Sequence, residues 1–284
     1  MRAQSAVCLF ASLLWCSFVM ASPVAMVTDV AGSVSVGESG KAQSAALLSY
    51  VEPGAVLRVA SGARVALTFL SRPIEVTLSG PSEATVGNDG VTVQKGAAPA
   101  IRTLAAARSD AARNFQSAQR DRVALATVQM RSLAPPRIQI EGPANTTVSS
   151  TSPVLSWTAP EGARDTRIVV NDALGRPVVD RRVSGSSLAL SESPLAYGAS
   201  YTWRVESKGP SGESLSANAP FSVIDAEQAT RLAASKPSSD APFSERLLFA
   251  LQLQSQGLAY EAKREWRALS AERPDDAALR QMAR

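Results

Sequence analysis

Tyr201-Thr202-Trp203-Arg204-Val205-Glu206 alternates apolar and polar side chains without a break. A period of two puts Tyr201, Trp203 and Val205 on one face of a strand and Thr202, Arg204 and Glu206 on the other. Two large rings and a valine on one side form a core face, so this stretch predicts a strand packed against a second sheet. The same alternation recurs at Leu155 and Trp157, Ile168 and Val170, Val178 and Val183, Leu188 and Leu190, and Phe221 and Val223. Gly209-Pro210-Ser211-Gly212 supplies a hairpin turn before the last of these. About seven short strands across residues 135–224 predict a β-sandwich.

Residues 22–99 show the period again. Val65, Leu67 and Phe69 alternate with Arg64, Ala66 and Thr68, Ile74, Val76 and Leu78 with Glu75 and Thr77, and Val91 and Val93 with Thr92 and Gln94. Ala31-Gly32, Pro53-Gly54, Ser61-Gly62, Gly80-Pro81 and Asn88-Asp89-Gly90 punctuate them as turns. The pattern predicts half-buried strands in a rolled or stacked β domain.

Three stretches of this segment carry a resemblance: Val27-Thr28-Asp29-Val30-Ala31-Gly32-Ser33-Val34-Ser35-Val36, Val51-Glu52-Pro53-Gly54-Ala55-Val56-Leu57-Arg58-Val59, and Gly62-Ala63-Arg64-Val65-Ala66-Leu67. They resemble the FecR-like domain of Gram-negative envelope signalling regulators. Members often have an Asp-Gly turn where this chain has Leu70-Ser71-Arg72-Pro73. Those regulators carry a sigma-factor-binding region and a membrane span before the domain. The chain shows neither, so the sigma-regulating role is not expected here. Residues 135–224 resemble a fibronectin type III-like domain, with Pro153-Val154-Leu155-Ser156-Trp157 at its second strand and Leu190, Pro194, Tyr201 and Val205 around its tyrosine corner.

Residues 100–134 change character. Leu104, Ala107, Ala111, Phe115, Ala118 and Arg122 fall at three- and four-residue steps, which predicts an exposed, alanine-rich helical linker between the two β domains. Between residues 102 and 137 stand seven arginines against Asp110 and Asp121, a basic surface suited to an acidic partner or to anionic lipid. Residues 225–284 read as helical. Ala250, Gly257, Ala262, Trp266 and Pro274 match the spacing of one tetratricopeptide-like hairpin, with Arg246 where the first tryptophan usually stands. Phe243-Ser244 is expected to cap its first helix, and Asp275-Asp276 to start a third. One repeat of about 34 residues is too small to fold unaided. It is expected to lean on the sandwich, on a helix from Ala226 to Ser235, or on another protein. Leu253, Tyr260 and Trp266 are the candidate partner-binding residues, although for Trp266 packing between the two helices of the hairpin is the favoured reading.

Composition narrows the chemistry. The 284 residues include no histidine, and the two cysteines, Cys8 and Cys16, lie in an apolar N-terminal run. Arg2, the run from Ala6 to Met20 and Val19-Met20-Ala21 predict a signal peptide over residues 1–21 and export to the periplasm, with an uncleaved inner-membrane anchor as the alternative. No later segment is long and apolar enough to span a membrane. Without Cys8 and Cys16, disulfides contribute nothing to the fold, so burial must hold each domain. Histidine triads, cysteine nucleophiles and imidazole or thiolate zinc sites lack their side chains. Gly80-Pro81-Ser82-Glu83-Ala84 falls one glycine short of a hydrolase elbow. No phosphate-binding glycine loop is present, and Asn88-Asp89-Gly90 is a turn rather than a calcium loop. A net charge of +4 is too weak to imply nucleic-acid binding.

These readings predict a mainly β chain with an α-helical C-terminus and a non-enzymatic role in interaction or scaffolding, without a cofactor. The expected partners are envelope proteins. The alternative is a cell-wall or polysaccharide-binding protein, for which Trp157, Tyr201 and Trp203 would be the sugar platform were they not on a core face. Carboxylate-based hydrolysis is the remote alternative, since two carboxylates suffice for a glycosidase.

Overall fold

The computed structural model describes residues 22–37, 42–122, 137–191 and 194–284. The signal-peptide reading of residues 1–21 and the end of the linker, residues 123–134, lie outside the described residues. The chain is mainly β, with helices gathered mostly at its C-terminus.

The first β unit runs β1 (Ala25–Ala31), β2 (Val34–Gly37), β3 (Gln43–Ser44), β4 (Tyr50–Val51), β5 (Val56–Val59), β6 (Arg64–Phe69), β7 (Ile74–Ser79), β8 (Ser82–Val86), β9 (Val91–Lys95) and β10 (Ala100–Thr103). These make two antiparallel five-stranded sheets, ordered β10-β7-β6-β1-β4 and β3-β2-β5-β8-β9. Val27, Val65, Leu67, Phe69, Val76 and Leu78 from one sheet meet Leu57, Val59, Ala84 and Val86 from the other. Residues 100–103, expected to open the linker, instead pair with β7 from Ala100 opposite Thr77 to Thr103 opposite Ile74.

The strands of the first sheet were expected to be half-buried; β6 is buried on both faces beyond Arg64. Its second face carries Ala66 and Thr68, with Met26 and Thr28 of β1 and Glu75 of β7 beside them, and all are covered. The cover is helical. After α1 (Ala106–Arg122) and the sandwich come α2 (Ala226–Ser235), α3 (Phe243–Ser255), α4 (Ala259–Glu272) and α5 (Ala277–Met282). Met26 and Leu70 join Ala111, Ala112 and Phe115 of α1 and the apolar residues of α3 in one continuous core. Helix α1 is therefore not an exposed linker. Its apolar stripe packs against α3, which has apolar residues on nearly every side and must be enclosed. Nine residues of α3, from Phe243 to Leu253, are buried.

The sandwich comprises β11 (Gln139–Gly142), β12 (Thr146–Val148), β13 (Val154–Thr158), β14 (Arg164–Asp172), β15 (Pro177–Val183), β16 (Ser187–Ala189), β17 (Ser200–Lys208) and β18 (Ser214–Val223). A sheet β11-β13-β16 faces a sheet β12-β18-β17-β14-β15. Trp157 and Trp203 meet edge to face at 6.3 Å, and Tyr201 stacks on Phe221 at 5.7 Å. Trp203 Nε1 donates to Pro143 O at 2.8 Å, and the Ala196 N–H donates to the Tyr201 hydroxyl at 2.9 Å, a tyrosine-corner bond. The short strand β12, parallel to the end of β18, was not anticipated. On β15 the parity also differs: Val178 is 45% exposed and Val179 4%. A register shift between Val170 and Asn171 opposite this strand moves the inward position by one.

Candidate functional site

Val223 ends β18, and the chain enters α2 directly, with the Asp225 carboxylate accepting the Gln228 N–H at 2.7 Å as N-cap. This short junction holds α2 beside the sandwich. The α3/α4 pair then folds back, turning at Gly257, whose φ of +77° suits glycine. Helix α3 starts after Pro242, with no side-chain cap, and Ser244 is buried in its first turn rather than capping it. Asp276 caps α5 through the Leu279 N–H at 3.0 Å.

Helix α4 meets the sandwich through two neighbouring side chains. The Tyr260 hydroxyl donates to Val154 O at 2.9 Å, and its ring lies against Gly142. Glu261 Oε1 accepts the Ser149 N–H at 2.6 Å and the Ser149 hydroxyl at 3.1 Å. Glu261 Oε2 is buried without a hydrogen-bond partner. Burial dominates and raises the Glu261 pKa, against the Ser149 hydrogen bonds and the positive charge of Arg264.

Between the 149–154 loop, α2, α3 and α4 lies a cleft of about 630 Å3. Leu232, Phe249 and Leu253 form its apolar base, Tyr260 and Glu261 one wall, and Lys236 and Arg264 stand on α2's end and α4. Of the three residues expected to meet a partner, Leu253 and Tyr260 line this cleft. Trp266 does not. It is packed inside the helical hairpin, with Nε1 donating to Gln254 Oε1 at 3.2 Å. Glu261, Lys236 and Arg264 were missed. Ser149 and Glu261 are 112 residues apart, and no spacing rule relates them.

A second polar centre lies under the helical layer. Asp29 accepts from Arg64 at 2.8 Å and from Arg273 at 2.7 Å. Glu75 accepts from Arg102 at 2.9 Å, and Glu245 pairs with both Arg102 and Arg108, the latter at 2.6 Å. Arg102 and Arg108, read as part of a basic surface, are thus spent on internal pairs. Each of these carboxylates is held by guanidinium groups. Among the described residues no group of three or more His, Cys, Asp or Glu is placed to hold a metal ion, and no helix is long and apolar enough to cross a membrane.

No family model matches the chain, and no curated protein matches it. Among solved structures it is similar to CopC from Methylosinus trichosporium OB3b, at 19% identity over 32% of this chain and 96% of that one, with a TM-score of 0.27. It is also similar to the fn3 domain of the human collagen alpha-1(XX) chain, at 19% identity over 41% of this chain and 96% of that one, with a TM-score of 0.26. Each is a likeness of fold alone.

Proposed function

We propose that the chain is a non-enzymatic interaction or scaffold protein of the bacterial envelope, exported to the periplasm by the segment at residues 1–21, and accessory to a signalling or envelope complex. The FecR-like reading of residues 22–99 and the tetratricopeptide-like reading of residues 225–284 belong to this proposal. The quoted FecR-like stretches supply β5 and most of β1, β2 and β6, and α3 and α4 form a helical hairpin turning at Gly257. The observation that carries it is the enclosure of α3. By packing on α1, the first sheet, α2 and α4 at once, it joins the first β unit and the helices through one core, and a walled cleft lies between those helices and the sandwich. Fixed relative placement of several surfaces is what a scaffold requires.

Photo-crosslinkers placed in intact cells at Tyr197, on the cleft rim, and at Leu174, an exposed hairpin residue, test this reading. Reproducible adducts with a defined envelope protein support it. Adducts with no protein at either position, or with glycan alone, overturn it. Deleting residues 238–284 is not a usable control, because α3 forms part of the core. The polysaccharide reading loses its platform, since Trp157, Tyr201 and Trp203 are all interior.

A further inference from the structure

Beyond the interaction reading and independent of it, we infer that two copies of the chain pair antiparallel through β9, joining their β3-β2-β5-β8-β9 sheets into one continuous sheet.

Among the described strands β9 pairs only with β8, at the end of its sheet. Val86, opposite Val91 on β8, gives its N–H to Ala55 O at 2.9 Å and takes the Gly54 N–H on its carbonyl at 2.8 Å, so its backbone is turned away from β9. Hydrogen-bonded and non-hydrogen-bonded pairs alternate along an antiparallel ladder, and Val93, two residues on and opposite Ala84, repeats the arrangement. Val91 and Val93 therefore both aim N–H and C=O at the free edge. Edge strands are usually guarded by charge or proline. The other edge strand of comparable length, β15, opens on Pro177 and carries Asp180, Arg181 and Arg182. Strand β9 reads Val-Thr-Val-Gln-Lys, with its one charge at the end.

The sequence of β9 is complementary to itself in one register. A two-fold axis over Thr92 sets Val91 of each copy opposite Val93 of the other, so all four valines exchange their free backbone bonds across the edge. The same axis sets Thr92 opposite Thr92, a favourable β-branched pair on the exposed face. It also carries Lys95 towards Asp89 of the second copy. Within its own chain Lys95 has only a 3.7 Å contact with Glu83 and is 80% exposed. Shifting the register by two residues either way sets a valine against a charge, Val93 against Asp89 or Val91 against Lys95. Ile101 adds apolar surface beside this edge. It stands opposite Val76, a core residue, on β10, the end strand of the other sheet, yet it is 66% exposed.

The test is sedimentation velocity on the purified protein from about 10 µM to about 1 mM, a range set by the small contact that one strand pair makes. Expected is a concentration-dependent shift from monomer to dimer. Thr92→Lys, which sets like charges across the axis at an exposed position, should weaken the dimer at least tenfold while the circular dichroism spectrum and the melting temperature of the dilute protein stay those of the parent. Lys95→Glu should weaken it at least twofold. Disulfide cross-linking, with Cys8 and Cys16 replaced by serine, reads the register. Thr92 meets its counterpart in a non-hydrogen-bonded pair with Cα atoms about 4.5 Å apart, within reach of a disulfide. Gln94 is exposed on the same face but stands about 14 Å from its counterpart. Thr92→Cys should therefore oxidise to a linked dimer at least tenfold faster than Gln94→Cys. A monomer throughout the concentration range, a dimer that survives Thr92→Lys, or equal cross-linking rates for the two variants would overturn the inference.

Discussion

The guanidinium carbon of Arg273 lies 3.5 Å from the centroid of the Phe243 ring. Arg273 follows the last turn of α4, and Phe243 opens α3. The same guanidinium donates to Asp29 Oδ1 at 2.7 Å and to Val30 O at 3.2 Å on β1. One side chain thus ties two helices to the first sheet. Stacking on a ring needs the planar fork that lysine lacks. Arg273→Ala is expected to destabilise the chain by about 2 to 3 kcal/mol, because a largely buried Asp29 keeps only Arg64. Arg273→Lys should fall between the two. Urea denaturation measures both, and equal midpoints for parent and Arg273→Ala would refute the tie.

Tyr260 and Gly142 make the corresponding tie to the sandwich. A Cβ placed on Gly142 would stand 2.5 Å from the Tyr260 ring, closer than real contacts allow. Gly142→Ala should therefore cost about 2 kcal/mol or more through overpacking and through its backbone conformation at φ +152°. In a Tyr260→Ala background the steric part should vanish, leaving a coupling of at least about 1 kcal/mol in the double-mutant cycle. Additive effects would show that the ring does not rest on this glycine. Tyr260→Phe alone should cost about 1 kcal/mol, for the bond to Val154 O.

The sandwich core supplies a sharper number. Trp157 is fully buried and meets Trp203 edge to face. Trp157→Ala is expected to cost about 3 to 5 kcal/mol. An unchanged melting temperature would remove Trp157 from the core and revive the sugar platform.

The sandwich was legible because its inner residues are large and alternate strictly, as at Tyr201, Trp203 and Val205. The covered outer face of the first sheet was not. Ala66 and Thr68 are small or weakly polar, and nothing in their types separates a surface under helices from one under water. Arg102 and Arg108 read as solvent charges for a related reason. Their partner Glu245 lies 143 and 137 residues away, so only the fold reveals the pairing. Helix α3 did carry a signal. The run Leu247-Leu248-Phe249-Ala250-Leu251 is apolar all round, which marks an enclosed helix rather than one face of an isolated hairpin. Within the cleft, Leu253 and Tyr260 could be found by helical spacing, whereas Lys236, Glu261 and Arg264 take their meaning from the 149–154 loop.

Two acids should give the stability opposite dependences on pH. Burial works to raise the Glu245 pKa, but Arg108 and then Arg102 outweigh it, and the carboxyl lies below its ordinary 4.5. Its pairing therefore stabilises the fold fully above that value and is lost as pH falls through the lower folded pKa. Glu261 is displaced upward, chiefly by burial. Folding is then favoured by its neutral form below its ordinary 4.5, and that advantage is lost as pH rises through the higher folded pKa. Glu245→Gln should lower stability at pH 7 by about 2 kcal/mol and converge on the parent near pH 3. Glu261→Gln should be neutral or stabilising at pH 7, since an amide oxygen still accepts from Ser149 and no charge is buried, and the difference should shrink towards pH 4. Urea midpoints measured from pH 3 to pH 8 separate the two. A constant gap for Glu245→Gln across that range would show that its two arginines do not hold it as a carboxylate. A loss at pH 7 for Glu261→Gln that deepens with rising pH would show that the ionised form is the one bound by the sandwich loop.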